Sequence, residues 1–440
     1  MNHDSPVNLE NNALRLSAAF LIAFALAFFA YYGVNTINDP VFSIDFSPYY
    51  VAGQLLANGR AQELIPQPAE GMFTTSAKPF LDTFHQHFFP DSPVATGWIY
   101  PAAYAWLFRP FANMDFSAAA RLWLAVNILL SCAAIALVVW ARPWRGDPRY
   151  RVWHVAWIVF LGLTFQPILD NLWHGNISAL ILFCFCLCYL LLRSGRPGLA
   201  GFVLGLIVPL KITPALFILY FIWRRNWRAV IGSIAGSLVI IVITWFTVGT
   251  NGLLGYAGTI LAQLQAGGVA AFNNQSVAGF LMHALTQGDV NGWETISVPL
   301  WVTLARYVLL LALVGAVVWA MRRRPEKLGK PVLAEDLDLS LLIGVMLLAS
   351  PITWYHYYVW LFVPLVIVFD HLLTGAANRR RMILFAMAYG LLVVQGFSQV
   401  RGFAQQAIQD VWLLRVLLSS SFFGAVLFIG LNLRLRDEMR

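Results

Sequence analysis

The stretch "GLAGFVLGLIVPLKITPALFILYFIW", residues 198–223, decides how this chain folds. It is apolar from end to end, as a lipid-embedded helix must be, yet Pro209, Lys211 and Pro214 interrupt its middle. A single helix of about 20 residues already crosses the hydrocarbon of a bilayer, so the run is too long for one simple span. Proline removes a backbone donor and clashes with the preceding turn. A lysine among aliphatic side chains is costly unless its ammonium reaches water or an anion. Two short helices meeting at "PLKITP" satisfy both conditions, and broken helices of this kind line buried cavities in membrane proteins. Lys211 then either meets an anion such as a phosphate or snorkels to an interface.

The rest of the chain agrees with that reading. Of 440 residues, 59% are hydrophobic and 11% charged, against roughly a quarter charged in a soluble domain. The expectation is an all-α polytopic membrane protein forming one integral membrane domain over residues 1–440. Apolar runs place helices near 13–33, 117–141, 152–169, 177–192, 228–248, 298–320, 339–353, 357–370, 382–398 and 411–433. With the broken segment they make about ten to twelve spans. The run Ala13–Tyr32 has span length and no small-residue cleavage site behind it, so it does not read as a cleavable signal.

Arginine and lysine orient the chain. The segments around Arg15, 142–151, 193–196, 224–228, 322–330, 379–381 and 434–440 all fall on one side of the span map and hold 21 of the 29 basic residues. By the positive-inside rule both termini are then cytoplasmic. A net charge of +8 needs no nucleic acid to explain it, since basic loops are what topology requires. The segments 34–100 and 249–297 become outer loops, and the first carries six carboxylates against Arg60 and Lys78. Three of the four cysteines, Cys184, Cys186 and Cys188, alternate along one apolar run and read as packing residues. The motif "HQH" at His85–His87 is a weak metal signal without further ligands, and no metal or cofactor is expected.

Polar residues that topology does not require gather on the outer face. In "FSIDFSPYYVAG", Ser47 suits a helix cap and Pro48 its first turn, with Gly59 a natural stop. Asp45 sits among aromatics just ahead of that helix; it either supports the turn or is held there for chemistry. "LDNLWHGN" supplies Asn171, Trp173, His174 and Asn176, and "SPITWYHYYVW" supplies Trp354 and His356. Aromatic residues at an interface are common anchors, but their apolar faces also suit a pyranose, and Tyr49 and Tyr100 join this set. A histidine in each cluster can bond a phosphate or carry a proton. In "FNNQSVAGFL", Asn273 and Gln275 offer amides for sugar hydroxyls, or they cap the loop.

In order and kind, "DFSPYYVAGQLLANG", "YPAAYAWLFRPFANM", the 198–223 segment, "NQSVAGFLMHAL" and "LLASPITWYHYYVWLFVPLVIV" resemble blocks of glycosyltransferase family 87. The resemblance runs over roughly residues 14–370. It implies a GT-C membrane fold with juxtamembrane helices in the first outer loop. It also implies inverting transfer of a hexose, expected to be mannose, from a polyprenyl-phosphate donor to a lipid or glycan hydroxyl at the extracytoplasmic face of a bacterial cytoplasmic (inner) membrane. The family's first-loop aspartate falls on Asp45, the implied general base. Its "K-x-T-P" lysine falls on Lys211 and its "W-x-H" histidine on His356, implied contacts of the donor phosphate. Two positions depart from the family pattern. His174-Gly175-Asn176 stands where Gly-Gln-x-Asn is usual, and His356-Tyr357 where paired histidines are frequent. Two other classes fit some of the features: a secondary transporter, which would show internal repeats that are not evident here, and a lipid-linked glycan ligase or polymerase, which would want arginine-rich outer loops.

Overall fold

In the computed structural model, residues 6–39, 43–66, 80, 82–84, 98–142, 148–260, 268–293, 295–374, 378–397, 402 and 411–439 are described. The candidate metal ligands His85 and His87 lie outside them. Among the described residues all extended regular structure is helical, and β-pairing is confined to two isolated bridges, Gly268–Ile296 and Asn274–Trp354. The helices are α1 (Pro6–Asn38), α2 (Ser47–Ala57), α3 (Phe116–Ala141), α4 (Arg151–Thr164), α5 (Gln166–His174), α6 (Ser178–Arg193), α7 (Pro197–Ile207) and α8 (Ala215–Trp223). They continue with α9 (Trp227–Gly255), α10 (Val277–Leu285), α11 (Leu300–Met321), α12 (Pro331–Ala349), α13 (Phe362–Thr374), α14 (Arg379–Val393), α15 (Trp412–Leu417) and α16 (Ser420–Asp437).

Among the described residues, five helical segments are long and apolar enough to cross a membrane: Asn12–Asn38, Phe116–Ala141, Trp227–Thr259, Leu300–Met321 and Tyr355–Leu373. The pair α4 and α5, bent by 42°, makes a sixth. That is fewer than ten to twelve, because several apolar runs are cut into pieces too short to cross alone. Helix α6 has 16 residues and so spans about 24 Å, against the ~30 Å hydrocarbon core. The run expected at 339–353 starts earlier, as α12, carrying Asp336 and Asp338 into the bundle. The run expected at 357–370 opens with a 3₁₀ stretch, Tyr355–Leu361, before α13.

The interruption at 208–214 is present between α7 and α8. Such a break is tolerable only if its freed carbonyls find donors. Tyr104 Oη donates to Leu206 O at 2.6 Å and Tyr256 Oη to Pro209 O at 3.2 Å. Small residues then weld α7 to α9. A Cβ added at Gly201 or Gly205 would strike the backbone of Ala229 or Ser233, and one at Gly232 or Gly236 the backbone of Gly198 or Phe202. Without a hydrophobic driving force between helices in lipid, close backbone approach of this kind supplies the packing.

The end of the bundle opposite the break carries a charge network that loop topology did not foretell. Arg142 donates to Asp370 at 2.5 Å and to Asp336 at 2.8 Å, and Tyr189 Oη donates to Asp336 at 3.0 Å. Asp338, wholly buried, accepts from Arg224 at 2.6 Å and Arg436 at 2.7 Å. These arginines are therefore more than loop anchors: they neutralise carboxylates brought in by α12 and α13. Removing Asp338 leaves two cations facing one another in a dry site, so Asp338→Ala is expected to cost about 3–5 kcal/mol. A thermal unfolding transition in detergent, lowered relative to wild type, checks it; an unchanged transition refutes it.

Candidate active site

Asp45 lies in a 3₁₀ turn, Ile44–Phe46, between α1 and α2. Two anchors fix that turn. Phe46, fully buried, stacks on Trp123 with ring centroids 5.8 Å apart and meets Phe111 edge-on at 5.6 Å. Ser43, left-handed at φ 64°, donates its backbone N–H to Trp173 O at 2.7 Å. Opposite Ser43 stands Gly175, also left-handed at φ 65°, where a side chain would meet Ser43 Oγ at 3.0 Å. Only a glycine closes the α5–α6 elbow here. Ser47 does not cap α2 as expected: it is the first helical residue and its hydroxyl donates back to Ile44 O at 2.6 Å. Pro48 does occupy the first turn.

The elbow delivers the partners of Asp45. Asn176 Nδ2 donates to Asp45 Oδ2 at 2.9 Å, while its own Oδ1 accepts from Ser178 N at 3.0 Å and Ser178 Oγ at 2.7 Å, locking the amide's orientation. His356 Nε2 stands 3.6 Å from the same carboxylate oxygen, and its Nδ1 lies 3.9 Å from Asp170 Oδ2. His356 is buried, and neither ring nitrogen makes a hydrogen bond. His174 faces it with ring centroids 4.8 Å apart and is held by Asp170, whose backbone oxygen is 2.8 Å and carboxylate 3.3 Å from Nδ1. Asp170, His174 and His356 present ligand atoms all within 4.8 Å of one another, a donor set that could hold a metal ion.

The Asp45 side chain is 23% exposed. Packing against it strips water from the carboxylate and raises its pKa; His174, the Asn176 hydrogen bond and Lys211 pull the other way without winning.

Lys211 projects from the α7–α8 break. It hydrogen-bonds Tyr357 Oη, and its ammonium lies 3.9 Å from the Tyr357 ring centroid and 5.9 Å from that of Tyr100. Tyr100 Oη in turn meets Tyr49 Oη at 3.1 Å. A cavity of about 420 Å³ opens beside this group, with Tyr100, Lys211, Trp354 and Tyr357 in its wall. His356, 3.6 Å from Asp45, meets the ring of Tyr357 at 4.8 Å between centroids, and Tyr357 bonds Lys211, so the three groups lie in one neighbourhood, although neither Asp45 nor His356 lines the cavity at Lys211.

The remaining expected residues divide. Trp173 Nε1 donates to Asp39 Oδ2 at 3.0 Å and lines a separate cavity of about 450 Å³ with Gln166 and Tyr32. Asn171 is buried behind the elbow, 3.4 Å from Asn127 Oδ1. Gln275 is a correction: its amide is spent on Phe272 O, Leu418 O and Phe422 N, which makes it a brace of the loop and not a free sugar contact. Neighbouring Asn274, passed over as a site residue, caps Ser276 and receives Thr353 N at 3.1 Å. Asn273 and Asn171 each leave a buried amide oxygen unbonded. His356, expected beside the donor phosphate, sits at Asp45, and Tyr357 takes the place beside Lys211. Asp170 was missed, although Asp170 and His174 are four residues apart on one helix, the spacing at which an acid and a base meet.

Comparison with known proteins fits this geometry. The model of glycosyltransferase family 87 matches residues 98–351, more than half of the chain. A polyprenol-phosphate-mannose-dependent alpha-(1-2)-phosphatidylinositol mannoside mannosyltransferase of Mycobacterium tuberculosis is 32% identical over 66% of this chain. The match spans 64% of that relative's length, just under two thirds. Its namesake from Mycolicibacterium smegmatis is 26% identical over 91% of this chain and 86% of its own. A pentamannoside mannosyltransferase of the same organism is 24% identical over 73% of this chain and 72% of its own. No solved structure matches the chain.

If the Asn176 amide favours ionised Asp45, Asn176→Ala moves the titration of that carboxylate further upward. The ¹³C shift of labelled aspartate, followed against pH, reads this directly. A titration that stays put would mean that Asn176 does not govern the acid.

Proposed function

We propose that this chain, which belongs to glycosyltransferase family 87, transfers mannose from a polyprenyl-phosphate donor to a hydroxyl of a lipid-linked glycan acceptor, with Asp45 as general base. The observation that carries this reading is the carboxylate of Asp45, oriented by Asn176 at 2.9 Å and linked through His356 and Tyr357 to Lys211, which lines a cavity of about 420 Å³. The activities named for the relatives suggest the donor and the acceptor class.

The chemistry follows from the groups present. Asp45 takes the proton of the acceptor hydroxyl as that oxygen attacks the anomeric carbon. The bond from that carbon to the phosphate oxygen breaks on the opposite face, and the lipid phosphate leaves with the electron pair, so configuration inverts. Lys211 is placed to stabilise the charge that grows on the leaving phosphate, the kind of electrostatic contribution that usually dominates. A carboxylate of raised pKa is a stronger base than an ordinary one, so the upward shift favours proton removal.

Sidedness is part of the proposal. Arg142, Arg193 and Arg224 lie at one end of the bundle and Asp45, Asn176 and Lys211 at the other, with α6 running from Ser178 beside the site to Arg193 in the charge network. If the basic end is cytoplasmic, the site opens to the extracytoplasmic leaflet.

Asp45→Asn in purified protein is expected to cut mannosyl transfer from polyprenyl-phosphate mannose by about 10²- to 10⁴-fold; retained turnover would remove Asp45 from the mechanism. The fold should not suffer. The raised pKa means that Asp45 adds stability below its unfolded-state pKa, lost as pH rises through its folded pKa. At neutral pH the ionised carboxylate is therefore a burden that Asn removes, and the unfolding temperature should hold or rise. In wild type the acid limb of kcat/KM should lie above the ~3.9 of a free aspartate, because activity needs the ionised base.

A further inference from the structure

The cavity beside Lys211 holds a second cation. Arg306 projects into it from α11, and no carboxylate lines it among the described residues. The Nε of Arg306 is buried and makes no hydrogen bond. Its helix faces lipid, with Leu304 and Tyr307 each 55% exposed and Val308 65% exposed. A guanidinium on such a helix is costly unless something neutralises it, and the arginines at the far end of the bundle are neutralised by Asp336, Asp338 and Asp370. Arg193 and Arg224 also leave Nε unbonded, but what sets Arg306 apart is that, among the described residues, no carboxylate lines its cavity. Its missing partner is an anion from outside the chain.

We infer that Arg306 is a second contact for the phosphate of the lipid donor, opposite Lys211 across the cavity; this rests on the proposed donor class. The charge arithmetic explains why two cations are wanted. In the donor the phosphate is a diester with one negative charge. When its bond to the sugar breaks, the departing monoester gains a second. Lys211 alone matches the first state, and Lys211 with Arg306 matches the second, so the pair favours bond cleavage over substrate binding. The two side chains also differ in kind. Lysine offers a point charge on a flexible stem, whereas guanidinium offers a planar fork to two phosphate oxygens. The cavity wall suits the rest of the ligand: Ile212 and Tyr307, exposed towards lipid at 49% and 55%, flank it on α11 and at the break between α7 and α8. A prenyl chain can therefore pass between them while its phosphate stays inside.

The test measures binding without sugar transfer. A short-chain prenyl monophosphate and the matching prenol are titrated into purified wild type, Arg306→Gln and Arg306→Lys. Arg306→Gln should weaken the monophosphate about 10- to 100-fold and leave the prenol unchanged, with Arg306→Lys recovering part of the loss. Because the Nε of Arg306 bonds nothing in the protein and its charge is unneutralised there, Arg306→Gln should unfold at or above the wild-type temperature and Arg306→Lys close to it. Monophosphate affinity unchanged in Arg306→Gln, or equal losses for monophosphate and prenol, would overturn the assignment and leave the donor reading standing. Failure of wild type to bind the monophosphate at all would instead overturn the donor reading itself.

Discussion

In an apolar medium every backbone N–H and C=O must find a partner inside the chain. That constraint shapes this protein strongly, because four groups of the candidate site sit where a helix is interrupted. Asp45 occupies the 3₁₀ turn after α1, and Asn176 the elbow between α5 and α6. Lys211 stands in the break between α7 and α8, and His356 in the 3₁₀ stretch ahead of α13. An interruption frees polar backbone and turns side chains away from the helix cylinder. It survives only where neighbours repay the lost hydrogen bonds, as Tyr104 and Tyr256 do for Leu206 and Pro209. Bringing four interruptions together concentrates both the cost and the chemistry in one place.

The two ends of the bundle use charge in opposite ways. At one end Asp338 meets two arginines, and Arg142 meets two carboxylates and a tyrosine. Those groups neutralise one another's charge and serve the fold, although Arg224 Nε and Arg436 Nη1 make no hydrogen bond. At the other end the accounts stay open. His356 is buried with two unbonded nitrogens, and Arg306 keeps an unbonded Nε beside a cavity. Groups left unmatched in an apolar setting are costly to the fold, and they mark where a ligand's own charges and hydroxyls fit.

How much of this was legible in the sequence depends on range. The break in 198–223 was legible because two prolines and a lysine in an apolar run leave few local solutions. Asp45 stood out because a carboxylate among aromatics contradicts its surroundings. Gly59 and Pro48 obeyed short-range rules of helix ends. What escaped was pairing. That Asp336 and Asp338 belong to Arg142, Arg224 and Arg436 is set by contacts about a hundred residues apart or more, which periodicity cannot register. For the same reason Gln275 looked like a ligand when it is a brace, and Asp170, which holds His174, drew no reading. The motif "WYHYY" was located correctly, but which of His356 and Tyr357 would face Lys211 depends on the twist of a 3₁₀ segment.

That twist has a chemical consequence. With Tyr357, and not His356, beside Lys211, the imidazole is left to the acid. A carboxylate that receives a proton in a confined site must lose it before the next turnover. His356, 3.6 Å from Asp45 on one nitrogen and 3.9 Å from Asp170 on the other, bridges the two acids. Neutral imidazole can accept at one nitrogen while donating at the other, so the same ring that crowds Asp45 also offers its proton a way out. Under the proposed mechanism the departure from paired histidines has a physical reading: Tyr357 serves the ammonium, which needs no proton carrier, and His356 stands beside the proposed base, which does.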